Sequence, residues 1–395
     1  MLSARQGLSE HGHEANRTTK TQSRLPFLLL STDPSKGSEG VMAAVAAAEP
    51  HVKQTDTDLE NLQVSAWSAD TIDPRMLHMD FSSILFADDD LMLGSSGQGD
   101  RSLVELSEKY TFTELKRYAT RAADSLDHFL PACQAANMIV SLQCSIGDPN
   151  TRKRMACQRQ PAVVDAARAA GFVGVAHSLC GGTEWTDFLH REACIRLVTS
   201  VFTNDALLTC FFNHPPSMAI AELSGSMPSP NEVWQAKSEA EFYTHSHQLE
   251  GLQGQKSFRE AINALMSEQA AYAEAGLEKL SLSQLHTTVL GCQHVVFNYR
   301  ASMLPKSGLA TVMRALDRWA LLWATALDRI EPHDRKWLGI AKYAPEIAFI
   351  SRKVLEAILR EQEGDLRYLR LIANYDSSAF HELICHFATE AEASV

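Results

Sequence analysis

The sequence predicts an all-α protein built around a single large helical domain. After about residue 101, apolar residues recur at intervals of three and four positions through most of the chain, which is the spacing of amphipathic helices. The two-residue alternation of half-buried strands is nearly absent. No repeat of fixed length occurs, which argues against a regular solenoid. We therefore expect residues 101–395 to form one helical domain.

The order of the predicted helices follows from apolar periodicity and from the proline and glycine positions. A first periodic segment runs from Leu115 to Leu130, and we expect Pro131 to open the next helix, which continues to Cys144. Further helices are predicted over residues 151–171, 184–213, 256–276, 281–301, 308–330, 334–362 and 365–390. Pro215 and Pro216 end the helix at 184–213, because proline cannot continue a helix.

The N-terminal quarter of the chain lacks this periodicity. Residues 1–24 are polar and unpatterned, and we predict a flexible tail. Residues 25–100 mix short apolar pieces with Ser, Gly and acidic residues. We predict that this irregular segment packs on the helical core.

Composition excludes several classes of function. The 395 residues include 36 basic and 48 acidic side chains, a formal net charge of −12, which is the wrong sign for neutralising duplex phosphates. The eight cysteines form no CxxC pair, so neither a zinc module nor a dense disulfide framework is indicated. No P-loop or GxGxxG motif occurs. We expect a cytoplasmic protein that binds neither membrane nor nucleic acid directly and that can form a homodimer.

The most informative residue is Asp205, which lies in nearly continuous apolar helical sequence. A buried lone charge is costly unless an opposite charge, hydrogen bonds or a metal compensate it. Asp205, Thr209 and Asn213 share one helix stripe and offer oxygen atoms suited to Mg²⁺, and Asn204 lies about 100° around the helix. The alternative is a structural Asp205 paired with an arginine, with Thr209 bonding back to the carbonyl group of residue 205.

Two acidic clusters are candidates for completing such a site. Asp88 and Asp89 belong to a run of three aspartates between apolar residues, and Asp124 and Asp127 share a helix face. Holding several Mg²⁺ ions on a diphosphate requires carboxylates from more than one element. Each cluster is equally consistent with a solvated surface. The aromatic side chains, at core spacing, are typical of packing, although aromatic rings also stabilise cations.

The stretch from Asp187 to Phe242 resembles the middle homology region of fungal-specific transcription factors. The matching pieces are Glu192, Arg196, Val201-Phe202 through Asp205, the Phe211-Phe212-Asn213-His214-Pro215-Pro216 corner, and Leu223 through Met227-Pro228 to Trp234. The resemblance implies a compact all-α regulatory domain. This chain departs from the family because it has no cysteine before Cys133. It also has Asn204 and His214 where the family usually has an aliphatic residue and an arginine.

A narrower resemblance concerns the stripe Asp205-xxx-Thr209-xxx-Asn213. It is similar to the second metal motif of class I terpene cyclases, with asparagine replacing the final glutamate. A chain that is similar to a transcription factor but lacks a DNA-binding module resembles the unusual humulene-forming sesquiterpene cyclases of fungal tropolone meroterpenoid pathways. That resemblance implies Mg²⁺ on Asp205, Thr209 and Asn213, with Asp88 and Asp89, gripping farnesyl diphosphate.

The same resemblance implies roles for further side chains. Arg300 or Arg196 would cap the departing diphosphate, and Phe202 and Phe211 would contact the substrate. Asp205 and Asn204 would be catalytic. The sequence thus predicts an Mg²⁺-dependent terpene cyclase that makes a sesquiterpene such as humulene. Two alternatives stay open: a nuclear, non-enzymatic transcriptional regulator without a DNA-binding module, and an incomplete gene product whose zinc fingers lie upstream.

Overall fold

The computed structural model describes residues 98–119, 126–177, 184–245, 257–302, 308–331, 333, 335, 338–360 and 366–393. These residues form helices and contain no strand. In chain order the α-helices are α1 Gln98–Ala119, α2 Leu126–Ile146, α3 Pro149–Arg154, α4 Gln160–Ala169, α5 Trp185–Phe212, α6 Asn231–Trp234, α7 Glu239–His245, α8 Phe258–Met266, α9 Gln269–Ala273, α10 Leu282–Ala301, α11 Leu309–Asp328, α12 Ala344–Leu359 and α13 Ser378–Ala393. Short 3₁₀ turns occur at Phe172–Gly174, Ile220–Glu222, Leu277–Lys279, Gly339–Tyr343 and Arg367–Arg370, and a π-helical turn at Met155–Arg159.

Helix α5 lies at the centre of the described residues. It packs against α2, α4, α10 and α13, and its buried positions are distributed around the whole helix. A helix that is apolar on every side is the kind that a protein buries in its core. Burial by its neighbours therefore accounts for the composition of α5.

Helix α10 forms the second axis of the core and packs against α5, α8, α11 and α12. Its start is fixed by a capping box, in which Ser281 Oγ accepts from Gln284 N at 3.2 Å and Gln284 Oε1 accepts from Ser281 N at 2.9 Å. The buried Trp319 of α11 donates from Nε1 to the Leu285 carbonyl oxygen at 2.7 Å. A specific hydrogen bond thus fixes the position of α11 against α10.

The buried Glu108 carboxylate joins α1 to the helices that follow α2. It accepts from Arg154 Nη2 at 3.0 Å and from Arg159 Nε at 2.7 Å; Arg154 directly precedes the π-helical turn and Arg159 is its last residue. The two guanidinium groups hold the pKa of Glu108 below its ordinary value, despite a burial that acts in the opposite direction. Arg159 also lies over the Phe112 ring, 4.6 Å from its centroid.

The all-α prediction is confirmed, whereas several predicted helix boundaries were wrong. Pro131 lies inside α2, which begins at Leu126. The segment predicted as one helix over 256–276 breaks at Ser267 into α8 and α9. The long segment at 334–362 yields a helix only from Ala344. Apolar periodicity continues through short turns, so it does not locate these breaks.

Two segments, Phe129–Ile146 and Trp185–Phe212, are long and apolar enough to cross a membrane by length and composition. The core helix of a water-soluble protein has the same properties, and 72% of the window in the second segment is buried inside the protein. Residues 1–97, including the predicted tail and most of the irregular segment, lie outside the described residues. The predicted domain boundaries stay predictions.

The close approach of α8 to α10 gives a test of this packing. A Cβ atom added at Gly291 would lie 2.7 Å from both Ile262 Cδ1 and Phe258 Cζ. We expect Gly291→Ala to lower the free energy of unfolding by about 1 kcal/mol, because overpacking outweighs the gain in helix propensity. Chemical denaturation measures the loss. Ile262→Val, which removes the nearest methyl group, should recover part of it in the double variant. A stabilised Gly291→Ala protein would contradict the close packing.

Candidate functional site

The sequence predicts that Asp205 has a compensating partner, and in the structure that partner is the backbone turn at Ser217 and Met218. The carboxylate is fully buried. Ser217 N donates to Oδ1 at 3.0 Å and to Oδ2 at 2.9 Å, and Met218 N donates to Oδ2 at 2.9 Å. Hydrogen bonds from backbone N–H groups to a charged acceptor are among the strong ones in proteins. Together they compensate much of the cost of burying this charge.

The end of α5 brings this turn back to Asp205. Asn213 has a left-handed φ of 52°, which asparagine tolerates better than most residues. Its N–H bonds to the Thr209 carbonyl oxygen at 3.1 Å, and His214 N bonds to that of Leu208 at 3.4 Å. Pro215 and Pro216 then prevent further helix, as the sequence predicts. The chain reverses, so that Ser217 meets the Asp205 carboxylate about two turns before the end of α5.

His294 of α10 lies behind the same carboxylate. Its Nε2 atom is 4.0 Å from Asp205 Oδ2, and its ring meets the edge of the Phe202 ring at a centroid distance of 4.9 Å. Burial lowers the pKa of His294 to about 4. Burial also raises the pKa of Asp205 to about 6, against the effect of the Met218 and Ser217 amides. At neutral pH the pair is thus a carboxylate beside an uncharged imidazole.

The three predicted Mg²⁺ ligands of α5 are engaged in protein hydrogen bonds. Thr209 Oγ1 donates to the Asp205 carbonyl oxygen at 3.1 Å, as the alternative interpretation expects. Asn213 Nδ2 donates to the Tyr368 carbonyl oxygen at 2.8 Å, and its Oδ1 faces Arg300 Nη1 at 3.4 Å. N–H donors and a guanidinium group around these oxygens fit a structural anchor better than a cation site.

Within the described residues, no group of three or more His, Cys, Asp or Glu side chains could hold a metal ion. Asp88, Asp89 and Asp124 lie outside the described residues, as does the side chain of Asp127. Their predicted part in binding Mg²⁺, and that of the α5 stripe, stays a prediction.

Asn204 lies on a different side of α5 from Asp205 and bonds to α2. Its Nδ2 donates to Asn137 Oδ1 at 2.8 Å, and its Oδ1 accepts from Ser141 Oγ at 2.8 Å. Asn137 Nδ2 in turn donates to Ser200 Oγ at 2.8 Å. These four side chains form a hydrogen-bonded network between two apolar helices, and such networks fix which surfaces pack together. The structure therefore does not bring Asn204 together with Asp205.

Arg196 belongs to a second buried network around Glu192. Arg196 Nε donates to Glu192 Oε1 at 2.6 Å, and Ser229 N donates to the same atom at 2.9 Å. His177 Nε2 lies 3.0 Å from Glu192 Oε2. Burial acts to raise the pKa of Glu192, but His177 and Arg196 together hold it below its ordinary value. Arg196 also lies over the Trp234 ring, 5.1 Å from its centroid.

Arg300 lies near the end of α5. Its Nη2 donates to the Tyr368 carbonyl oxygen at 2.6 Å, and its guanidinium group lies 5.0 Å from the centroid of the Tyr368 ring. A cation near a helix C-terminus also interacts favourably with the helix dipole. Arg196 and Arg300 thus each hold a later segment of the chain through a backbone carbonyl oxygen, that of Ser229 and that of Tyr368.

Phe202 and Phe211 pack against other aromatic rings. Phe202 lies 4.8 Å from Phe258 and Phe211 lies 4.9 Å from Phe380, measured between ring centroids. The cavity beside Phe202 has a volume of about 30 Å³, which is room for about one water molecule. Small-molecule sites usually occupy about 300–1,000 Å³. The space at Phe202 is therefore too small for the fifteen-carbon chain of a farnesyl group.

Three side chains near Asp205 were not predicted from the sequence. They are His294, Arg168 and Glu222, of which the last two form a bidentate pair at 2.6 and 2.8 Å. For His294 a signal was present, because it is a single histidine within the apolar run from Val289 to Phe297. For Arg168 and Glu222 no spacing in the sequence indicates the pair, which the chain reversal after Pro216 creates.

Comparison with known proteins adds a relative. The chain is 28% identical over 245 residues to "Transcription factor verF" of Penicillium polonicum. The aligned region covers 55% of this chain and 33% of that protein. The comparison favours a transcription regulator over a cyclase. The prediction of a terpene cyclase was therefore wrong, whereas the expected likeness to fungal transcription factors is supported. The chain spans about a third of the length of this curated relative. No protein-family model matches it, and no solved structure matches it.

The anchor at Asp205 gives a stability test. Asparagine keeps one acceptor oxygen but turns an amide NH₂ group toward a backbone N–H donor. We expect Asp205→Asn to lower the free energy of unfolding by about 2–3 kcal/mol in urea titrations. As a matched control, Asp165→Asn removes an exposed carboxylate and should cost less than about 1 kcal/mol. An unchanged Asp205→Asn protein would contradict the anchor. Millimolar Mg²⁺ that stabilises the native protein and not this variant would support the cation site.

The raised pKa of Asp205 makes a second prediction. Because the folded-state pKa of about 6 exceeds the ordinary value of 3.8, the part of the Asp205 contribution to stability that depends on protonation is fully present below about pH 3.8 and is lost as the pH rises through about 6. The stability difference between the native protein and Asp205→Asn should therefore shrink from pH 4 to pH 7, by roughly 1.4 kcal/mol per unit of pKa shift. His294 titrates in both proteins, so its effect largely cancels. A difference that widens over this range would contradict the raised pKa.

Proposed function

We propose that this chain is a helical regulatory domain of the fungal transcription factor type, which controls transcription and does not catalyse a reaction. The observation that carries the proposal is the similarity over 245 residues to a protein described as a transcription factor. The resemblance of the Phe211–Pro216 corner to the middle homology region points the same way. The proposal concerns these 395 residues, whatever the length of the whole protein.

The contacts of the polar side chains in α5 support a regulatory domain. Asp205 is held by backbone amides, Asn204 by α2 and Glu192 by Arg196 and Ser229. Each group has protein partners that compensate its burial. Catalytic carboxylates, in contrast, are used on a substrate and need an accessible face. In a regulatory domain the same groups fix the chain reversals that shape a binding surface.

The charge of the chain indicates how such a domain acts. A net charge of −12 opposes direct binding to duplex DNA. We propose that these residues act in the nucleus through another protein, by pairing with a factor that reads DNA. Acidic surfaces suit association with basic partners, since complementary charge speeds encounter and selects the partner.

A tethering assay tests this function. The chain is fused to a heterologous, sequence-specific DNA-binding domain in a fungal host that carries a reporter gene. We expect reporter transcription to differ at least threefold from that with the DNA-binding domain alone. Deletion of the gene in its own host should change the transcript levels of a defined gene set, and a fluorescent fusion should accumulate in the nucleus.

Two variants control for folding. Glu192→Ala removes the buried acceptor of Arg196 Nε and of the Ser229 N–H, so it should unfold the domain and abolish the reporter effect. Lys237→Ala changes an exposed side chain and should keep the effect. A folded fusion that leaves the reporter unchanged, together with unchanged transcripts after deletion, would refute the regulatory function.

A further inference from the structure

Helix α13 places a histidine and a cysteine next to each other at its surface. His381 and Cys385 are four positions apart, so they lie on the same side of the helix, one turn from each other. His381 Nε2 and Cys385 Sγ are 3.5 Å apart. Both residues are half-buried, whereas Phe380, Leu383 and Ile384 belong to the core. The pair thus lies at the boundary between the packed face of α13 and the solvent.

The spacing of these two atoms fits a shared metal ion. Imidazole nitrogen and thiolate sulfur are both common zinc ligands. Zinc–sulfur bonds of about 2.3 Å and zinc–nitrogen bonds of about 2.0 Å, at the tetrahedral angle, place the two ligand atoms about 3.5 Å apart. The observed separation of His381 Nε2 and Cys385 Sγ has this value. The folded helix therefore already holds both atoms at the spacing that one zinc ion requires.

The neighbouring ligand-type residues of α13 do not extend the pair. His381 and His386 are five positions apart and point about 140° away from each other on a helix. Glu382 binds Arg367 Nε at 2.6 Å. Among the described residues, no third His, Cys, Asp or Glu side chain joins the pair to form a metal-binding group. The pair therefore supplies two ligands, and two positions of a tetrahedral ion fall to water.

The ligand types select the class of metal. Sulfur and imidazole nitrogen suit zinc and other borderline or soft cations, whereas Mg²⁺ and Ca²⁺ prefer oxygen ligands. Without metal, the thiol of Cys385 and the imidazole of His381 share a hydrogen bond, and a metal ion takes the position of the shared hydrogen. Cysteine binds metal as the thiolate, so binding of one zinc ion releases one proton from the thiol to the solvent.

We propose that His381 and Cys385 form a binding site for one zinc ion, with water in the two remaining coordination positions. The site goes beyond the proposed function, since metal binding at α13 depends neither on DNA nor on a partner protein. Because two of the four ligands are water, the ion stays open to the solvent, in contrast to the closed four-ligand sites on which the folding of zinc fingers depends.

Binding is tested on the purified, reduced full chain by titration with Zn²⁺ against a chromophoric chelator, and with Co²⁺ as a spectroscopic substitute. We expect one zinc ion per chain at a site that is weakened at least tenfold in His381→Ala and in Cys385→Ser. Sulfur-to-cobalt charge-transfer absorption should be lost in Cys385→Ser. His386→Ala and Cys157→Ser, each a change of an exposed residue, should keep the native affinity. Unchanged affinity in both pair variants, or one ion per two chains, would overturn the proposal.

Thiol labelling locates the ion in the native chain, without a substitution that could disturb folding. Mass spectrometry follows the reaction of each cysteine with N-ethylmaleimide. We expect excess Zn²⁺ to slow the labelling of Cys385 at least tenfold and to leave that of Cys157 unchanged, since Cys157 is exposed and its Sγ lies 3.3 Å from Tyr375 Oη. Zinc that slows neither thiol, or both equally, would refute the site at α13. Each result leaves the reporter test of the regulatory function unaffected.

Discussion

The structure depends on one buried carboxylate, that of Asp205, and on the two backbone amides that hold it. A buried carboxylate in a helical core is destabilising unless hydrogen-bond donors or positive charges that the fold holds in place lie next to it. Ser217 and Met218 supply that charge through their backbone N–H groups. The chain must therefore leave α5 by one route only, through Asn213 and the two prolines. The position of the following segment against α10 is a consequence of this constraint.

Buried polar groups in apolar helices have two general explanations, catalysis and specification of packing. In this protein Asn204 and Glu192 specify packing, because each accepts or donates a hydrogen bond to another segment of the chain, Asn204 to Asn137 and Glu192 to the Ser229 N–H. Other buried polar atoms are not satisfied in this way, since the Nε2 atoms of His286 and His294 have no hydrogen-bond partner among the described residues.

The sequence predicts the fold class and the end of α5 well, because helical periodicity and a proline pair are local signals. It also predicts that Asp205 needs a partner. It does not predict which partner, since Ser217 and Met218 contribute through backbone N–H groups that any residue carries. The prediction that Pro131 opens a helix was wrong, because the sequence does not reveal that α2 begins at Leu126 and continues through this proline. The Mg²⁺ motif was predicted from residue spacing along one helix. Metal binding also depends on which oxygen atoms face the site and on the hydrogen bonds that those atoms already form.

The π-helical turn at Met155–Arg159 contains the hydrogen bond from Gln160 N to the Met155 carbonyl oxygen. Arg154 and Arg159 are five positions apart, and on a regular α-helix they would point about 140° away from each other. A π-turn takes more residues per revolution, which rotates the two guanidinium groups toward the same side, where both grip Glu108. A regular α-helix over the same five positions would turn one of the two arginines away from Glu108 and leave α1 attached by one arginine instead of two. The π-helical turn thus allows the single carboxylate of Glu108 to bind two arginines and so to hold α1 against the rest of the described protein.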